Sequence, residues 1–209
     1  ADYDNVDPQF GTIADADALI AKGKGRGVKI ILDFVINHSS DKHAWFQQSK
    51  SSKTNPYRDF YIWRDGKNGG PPNNWTSLFG GSAWEKDPTT GQYYYHFFYA
   101  QQPDLNWRNP KVEKAMFDAA EWWLKRGVYG YRLDAVGTMF ERADLKDNPP
   151  APGKDAFGLP EQNRIYNTEQ PEMHTELQRL RQQVIDRYPG RILIGETYVG
   201  TSAELTKFY

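Results

Sequence analysis

Two kinds of apolar pattern alternate along the chain. Residues 29–36, 128–136 and 191–197 are short, β-branched and almost continuously apolar. Residues 12–26, 110–125, 172–188 and 202–209 instead carry their apolar positions at helical spacing, as with Leu177, Leu180 and Val184. Thr12 is placed to cap the first helix, which has Leu19 and Ile20 on its apolar side and Gly23, Gly25 and Gly27 at its end. Pro110 sits at the first helical position after Asn109. A continuous apolar run that follows a helix and a short glycine turn predicts a parallel strand buried on both faces. Strand-then-helix repetition predicts an α/β fold with a parallel sheet and right-handed crossovers.

The pattern breaks between positions 37 and 109, where Gly, Pro, Asn and aromatic residues take over, as in Gly69-Gly70-Pro71-Pro72-Asn73-Asn74 and Asp87-Pro88-Thr89-Thr90-Gly91. Residues 92–99 could form one short strand there. The whole stretch reads as an irregular subdomain inserted between a strand and its helix. It divides the chain into 1–37, an insertion over 38–109, and 110–209. A second Pro-rich stretch, Asn148-Pro149-Pro150-Ala151-Pro152-Gly153, predicts a loop.

Charge and composition narrow the partner. The 26 basic and 27 acidic residues leave a net charge of −1, which argues against a nucleic-acid or anionic-membrane surface. No apolar run approaches the roughly 18 to 20 residues of a membrane span, and Ala1-Asp2-Tyr3-Asp4 is not a secretory signal. Without cysteine there is no disulfide, thiolate metal site or cysteine nucleophile, a usage that fits a reducing compartment. Aromatic residues reach 15% and concentrate between Trp45 and Trp107. Such residues often only fill cores, but their faces also stack on the C–H faces of sugars.

Candidate chemistry lies where the strands end. Asp33-Phe34-Val35-Ile36-Asn37-His38, Gly130-Tyr131-Arg132-Leu133-Asp134-Ala135-Val136 and Gly195-Glu196-Thr197-Tyr198 each bring a carboxylate to an apolar run. Retaining glycosidases need two carboxyl groups roughly 5 to 5.5 Å apart, one nucleophile and one general acid, and Asp134 and Glu196 are the candidates. Arg132 and Asp134 share a side of their strand. A buried Arg132 is expected to keep Asp134 ionised, while Glu196 in a less polar pocket has its proton affinity raised. Taken singly, an Asp after an Arg is more often an ion pair, and His38 more often a hydrogen-bonded loop residue. His38 and His43 have poor spacing for a shared metal.

Together the three segments resemble signature segments of the α-amylase family of glycoside hydrolases, family 13. The resemblance runs from Val6-Asp7-Pro8-Gln9-Phe10-Gly11-Thr12 to the end of the chain. Gln102-Pro103-Asp104-Leu105-Asn106 resembles the element that marks the oligo-1,6-glucosidase and α-glucosidase branch. The resemblance implies that Asp134 is the nucleophile and Glu196 the acid/base. It implies that His38 and Arg132 hold the sugar, that Asp33 supports Arg132, and that Phe98 and Gln102 line the same subsite. The insertion corresponds to the family's domain B, and the fold to an incomplete TIM (β/α)8 barrel, about strands 3 to 5 of eight.

The function this resemblance implies is that of a retaining, exo-acting α-glucosidase acting on disaccharides or oligosaccharides. Ala135 favours maltose-type α-1,4 linkages. The resemblance also admits a transglucosylase or a sucrose or maltose isomerase, and a non-catalytic barrel subunit of an amino-acid transporter. It implies no cofactor. The branch's calcium ligands fall in a loop not present here, so no metal is assigned. The third catalytic Asp and the Asp for the outer hydroxyls likewise match nothing in these residues. This stretch is therefore expected to be inactive by itself, with apolar sheet edges exposed.

Overall fold

The computed structural model describes residues 2–208. Its centre is a three-stranded parallel sheet in the order β1 (Ile31–Val35), β5 (Gly130–Asp134), β8 (Ile192–Gly195). Each strand is shorter than its apolar run, because the flanking residues bend away to reach the next element. Asp33 lies opposite Arg132, and Val35 opposite Asp134. On the other side of β5, Leu133 lies opposite Gly195. This register brings the ends of all three signature segments to one edge of the sheet.

The helices follow their capping signals. α1 (Ile13–Gly25) starts with a reciprocal capping box, in which the Thr12 side chain and Asp15 satisfy each other's backbone N–H groups. α3 (Pro110–Arg126) starts where Asn109 accepts the Lys111 N–H and stops at Gly127, whose φ of 103° only glycine adopts readily. It buries Val112, Met116, Phe117, Ala120, Trp123 and Leu124 in the main core with Phe34, Tyr131 and Leu133. α4 (Glu172–Gln183) is shorter than its periodicity suggests. A tighter 3-10 turn over Ile185–Arg187 follows it, and both Val184 and Ile185 remain buried. α5 (Ser202–Leu205) is the last full helical turn, and position 209 lies outside the described residues.

Several expectations need correction. β1 is not buried on both faces: Phe34 is enclosed, but Ile31 is 39% exposed because β1 pairs with β5 alone. Leu19 is 58% exposed, leaving Ile20 and Gly23 as the buried residues of α1. The Pro-rich stretch is not a simple loop. Pro150–Lys154 forms β6, paired antiparallel with β7 (Pro160–Gln162). A lone two-stranded hairpin tolerates prolines that a central strand would reject, since few ladder bonds are required of it.

The insertion contains a helix that periodicity did not reveal, α2 (Ala44–Ser51), and a small antiparallel sheet in the order β2 (Trp63–Arg64), β4 (Tyr93–Tyr95), β3 (Trp84–Lys86). Its residues serve two cores. Phe46, Phe60, Tyr61 and Trp63 belong to the main core, whereas Ile62, Trp75, Ala83, Trp84, Tyr95 and Phe97 form a second one. The segment before the β6–β7 hairpin closes that second core: Asn73 Nδ2 donates to Leu145 O and Trp75 Nε1 to Lys146 O, both at 2.9 Å.

Candidate active site

Arg132 organises the strand ends. Its Nη1 lies 3.0 Å from each oxygen of Asp33 and 2.5 Å from Asp134 Oδ1, and its Nη2 lies 2.7 Å from Glu196 Oε2. One guanidinium thus binds carboxylates from three neighbouring strands, from the middle of β1, the end of β5 and just past β8, using the fork of donors that only Arg offers. Asp134 and Glu196 meet on the two nitrogens of this guanidinium. Glu196 Oε2 also accepts the Ala135 N–H at 3.1 Å, and the Tyr198 hydroxyl donates to Glu196 Oε1. Ala135 itself sits in the left-handed region, with φ 47°.

The two pKa shifts run in the opposite directions to those expected from sequence. Partial burial raises the Asp134 pKa, with the pull of Arg132 opposing and the charge of Glu196 adding to the rise. The Glu196 pKa is lowered, first by the Tyr198 hydrogen bond and then by the Ala135 N–H and Arg132. Arg132 is half-buried rather than enclosed, and it serves three acids at once, so Asp134 receives only part of its stabilisation. Glu196 sits at the rim among donors, not in an apolar pocket.

A second group adjoins these residues. His38 lies just past β1, with its imidazole 5.3 Å from the Phe98 ring. Burial drives the His38 pKa down to about 4, so the ring is neutral near pH 7. Gln102 is already committed: Oε1 accepts the Tyr99 N–H at 3.2 Å, and Nε2 lies 2.9 Å from His38 Nε2. In this arrangement Gln102 acts on His38 rather than reaching outward. Tyr3 and Asp33 line a cavity of about 510 Å³ with His38 and Gln102, but Asp134 and Glu196 do not line it.

Some neighbours escaped the sequence reading. Phe79 packs 6.0 Å from Phe98 and 4.3 Å from Tyr99, and both Phe79 and Tyr99 remain largely exposed. The Gly80-Gly81 turn after Phe79 was the available signal. Behind the site, Asp104 and Glu141 are buried acids with raised pKa values, the first cause in each being desolvation. Glu141 is pushed up to about 7, and Glu176 on α4 likewise, with Glu176 Oε1 unpartnered. Among the described residues no group of three or more His, Asp or Glu side chains is arranged to hold a metal, and no helix is long and apolar enough to cross a membrane.

Raised folded-state pKa values make the native protein bind more protons than the unfolded chain between about pH 4.5 and 7. Stability is therefore expected to fall as pH rises through that window, by on the order of 1.4 kcal/mol per unit for each group at most. Urea midpoints measured at pH 5 and pH 8 check this. The pair Glu141→Gln and Glu176→Gln should flatten the difference, and an unchanged slope would assign it elsewhere.

The parallel strands, the small antiparallel sheet and the carboxylates gathered on one arginine are those of an α-amylase-type catalytic domain. A family model described as alpha amylase, catalytic domain, matches residues 1–209, and the chain belongs to that family, glycoside hydrolase family 13. Among curated relatives, an oligo-1,6-glucosidase of Heyndrickxia coagulans is 44% identical over 213 residues, covering 100% of this chain and 36% of the relative. The alpha-glucosyl transfer enzyme XgtA superposes with a TM-score of 0.91 at 44% identity, over 98% of this chain and 41% of XgtA. An inactive double mutant of MutB in complex with isomaltulose gives 0.87 at 42% identity, over 100% and 36% of the two chains. The chain thus spans about a third of the length of the curated relatives it matches.

Proposed function

We propose that these residues are strands 3 to 5 of a (β/α)8 barrel with its domain B at 38–109, and that the complete protein is a retaining, exo-acting α-glucosidase. The observation that carries the reading is the convergence of Asp134 and Glu196, from adjacent strand ends, on the two nitrogens of Arg132. Carboxyl groups that share one guanidinium suit direct attack better than an inverting reaction, which needs roughly 6.5 to 9.5 Å between them to admit a water. The open outer edges of β1 and β8, with Ile194 47% exposed, suit strands that continue the barrel on either side.

In the proposed reaction an Asp134 oxygen bonds to the anomeric carbon as the glycosidic C–O bond breaks, and the Glu196 carboxyl gives its proton to the departing oxygen. Glu196, now a carboxylate, then takes a proton from water while the water oxygen displaces Asp134. Arg132 stabilises Asp134 as the leaving carboxylate. Neutral His38 would exchange its Nε2 contact with Gln102 for a glucosyl hydroxyl, and Phe98 gives its ring a face to stack on.

Maltose-type α-1,4 substrates are favoured by Ala135. A β-branched residue at its left-handed backbone position would be strained by about 1 to 3 kcal/mol. Proton NMR of the first-formed product is expected to show α-glucose, with maltose cleaved faster than isomaltose. Initial β-glucose would overturn the retaining mechanism, and faster isomaltose cleavage the linkage preference. A transglucosylase reading has support in two similar solved proteins, the alpha-glucosyl transfer enzyme XgtA and the trehalulose synthase MutB. It shares every step up to the glucosyl intermediate and differs in whether water or a sugar accepts the glucose.

A further inference from the structure

The proposed reaction needs Glu196 to carry a proton at the start, yet its hydrogen-bond partners and Arg132 favour the ionised carboxylate. Glu196 Oε2 is engaged twice, by Arg132 Nη2 at 2.7 Å and by the Ala135 N–H at 3.1 Å. Only Oε1 remains to deliver a proton, and the Tyr198 hydroxyl occupies it. The Tyr198 side chain is 80% exposed, so its ring is not locked by packing. It lies two residues beyond Glu196, just past the end of β8. A phenol held by one hydrogen bond and otherwise free can be displaced without unmaking a core.

We propose that Tyr198 is a positioning residue that caps the proton-delivering oxygen of Glu196 in the unliganded site and gives it up to the oxygen of the departing sugar or alcohol. The inference rests on the reading of Asp134 and Glu196 as nucleophile and acid/base. The charged groups facing Glu196 are Arg132 and Asp134 from β5, with Asp33 of β1 beyond the arginine. None of these is touched by removing the phenol oxygen. While the cap is on, the hydrogen bond favours the ionised carboxylate. When the leaving oxygen takes its place, that stabilisation is lost and the proton is held more firmly on Glu196 until it is transferred.

The test is Tyr198→Phe in the complete enzyme, which keeps the ring and removes the donor. The alkaline limb of kcat/KM for maltose, which reports loss of the Glu196 proton in the free enzyme, is expected to move up by about one pH unit. Tyr198→Leu, also lacking the hydroxyl, should move it in the same direction. With 4-nitrophenyl α-glucoside, whose leaving group needs little protonation, the shift should be much smaller. A limb that stays in place in both variants overturns the inference. Glu196→Gln is the separating arm: it should lower kcat/KM for maltose by about 10²- to 10⁴-fold while sparing kcat/KM for the nitrophenyl substrate, since hydrolysis of the shared intermediate does not enter that ratio. If that variant keeps maltose turnover, the acid/base reading itself fails. If it loses turnover while the Tyr198 variants leave the limb unmoved, only the role of Tyr198 fails.

Discussion

Replacing Asp134 with Asn in the complete enzyme is expected to lower turnover of maltose by about 10⁴-fold or more, the scale on which loss of a covalent nucleophile acts. Asn is nearly isosteric and can still face Arg132, so the fold should persist. What disappears is the anionic oxygen that bonds to the anomeric carbon and the ion pair at 2.5 Å that aims it. A cyclitol epoxide, which traps such a nucleophile as an ester, should label the unaltered protein at Asp134 and leave the variant unlabelled. Turnover above a trace, or labelling elsewhere in the chain, would remove Asp134 from the role. The same experiment discriminates against a non-catalytic barrel subunit, which would resist labelling from the outset.

The second large effect is structural. Gly130 opens β5 with φ 156°, and a methyl group added there would come 2.0 Å from the backbone oxygen of Ile192 on β8. No side-chain movement relieves that contact, because the obstacle is the neighbouring strand itself. Gly130→Ala should therefore cost about 3 kcal/mol or more, as overpacking a rigid site does. It should also impair catalysis by pushing aside the strand that ends at Glu196. Gly137 offers a control. A methyl there meets only Glu169 Oε1, the tip of an exposed side chain that can swing away. Urea denaturation of both variants should give a large loss for Gly130→Ala and a small one for Gly137→Ala. Equal losses would mean that β8 is not held against β5 as described.

Much of this arrangement was legible in the sequence because its signals are local. The N-cap at Thr12, the Asn109-Pro110 start and the continuous apolar runs each fix an element without reference to the rest of the molecule. The pairing of Asp33 with Arg132 was anticipated from the signature segments, and the register brings the two opposite each other. The β6–β7 hairpin was not legible. Its prolines argue against a strand, and what tethers it is distant: Gly81 N–H donates to Asp155, 74 residues away. The directions of the two pKa shifts were hidden for a similar reason. They depend on how three carboxylates divide one guanidinium, and on a phenol at Tyr198 whose position no periodicity encodes.

The grouping around Arg132 leaves the strand ends with an electrostatic surplus. Three acids against one base make the mouth of the sheet a sink for positive charge whenever the acids are ionised. A neutral sugar gains little from such a field, but a ring that develops cationic character as its bond to the leaving oxygen stretches gains a great deal. On the proposed reaction the arginine would hold the acids together without cancelling them, and the uncancelled remainder would favour the fleeting species over the resting one.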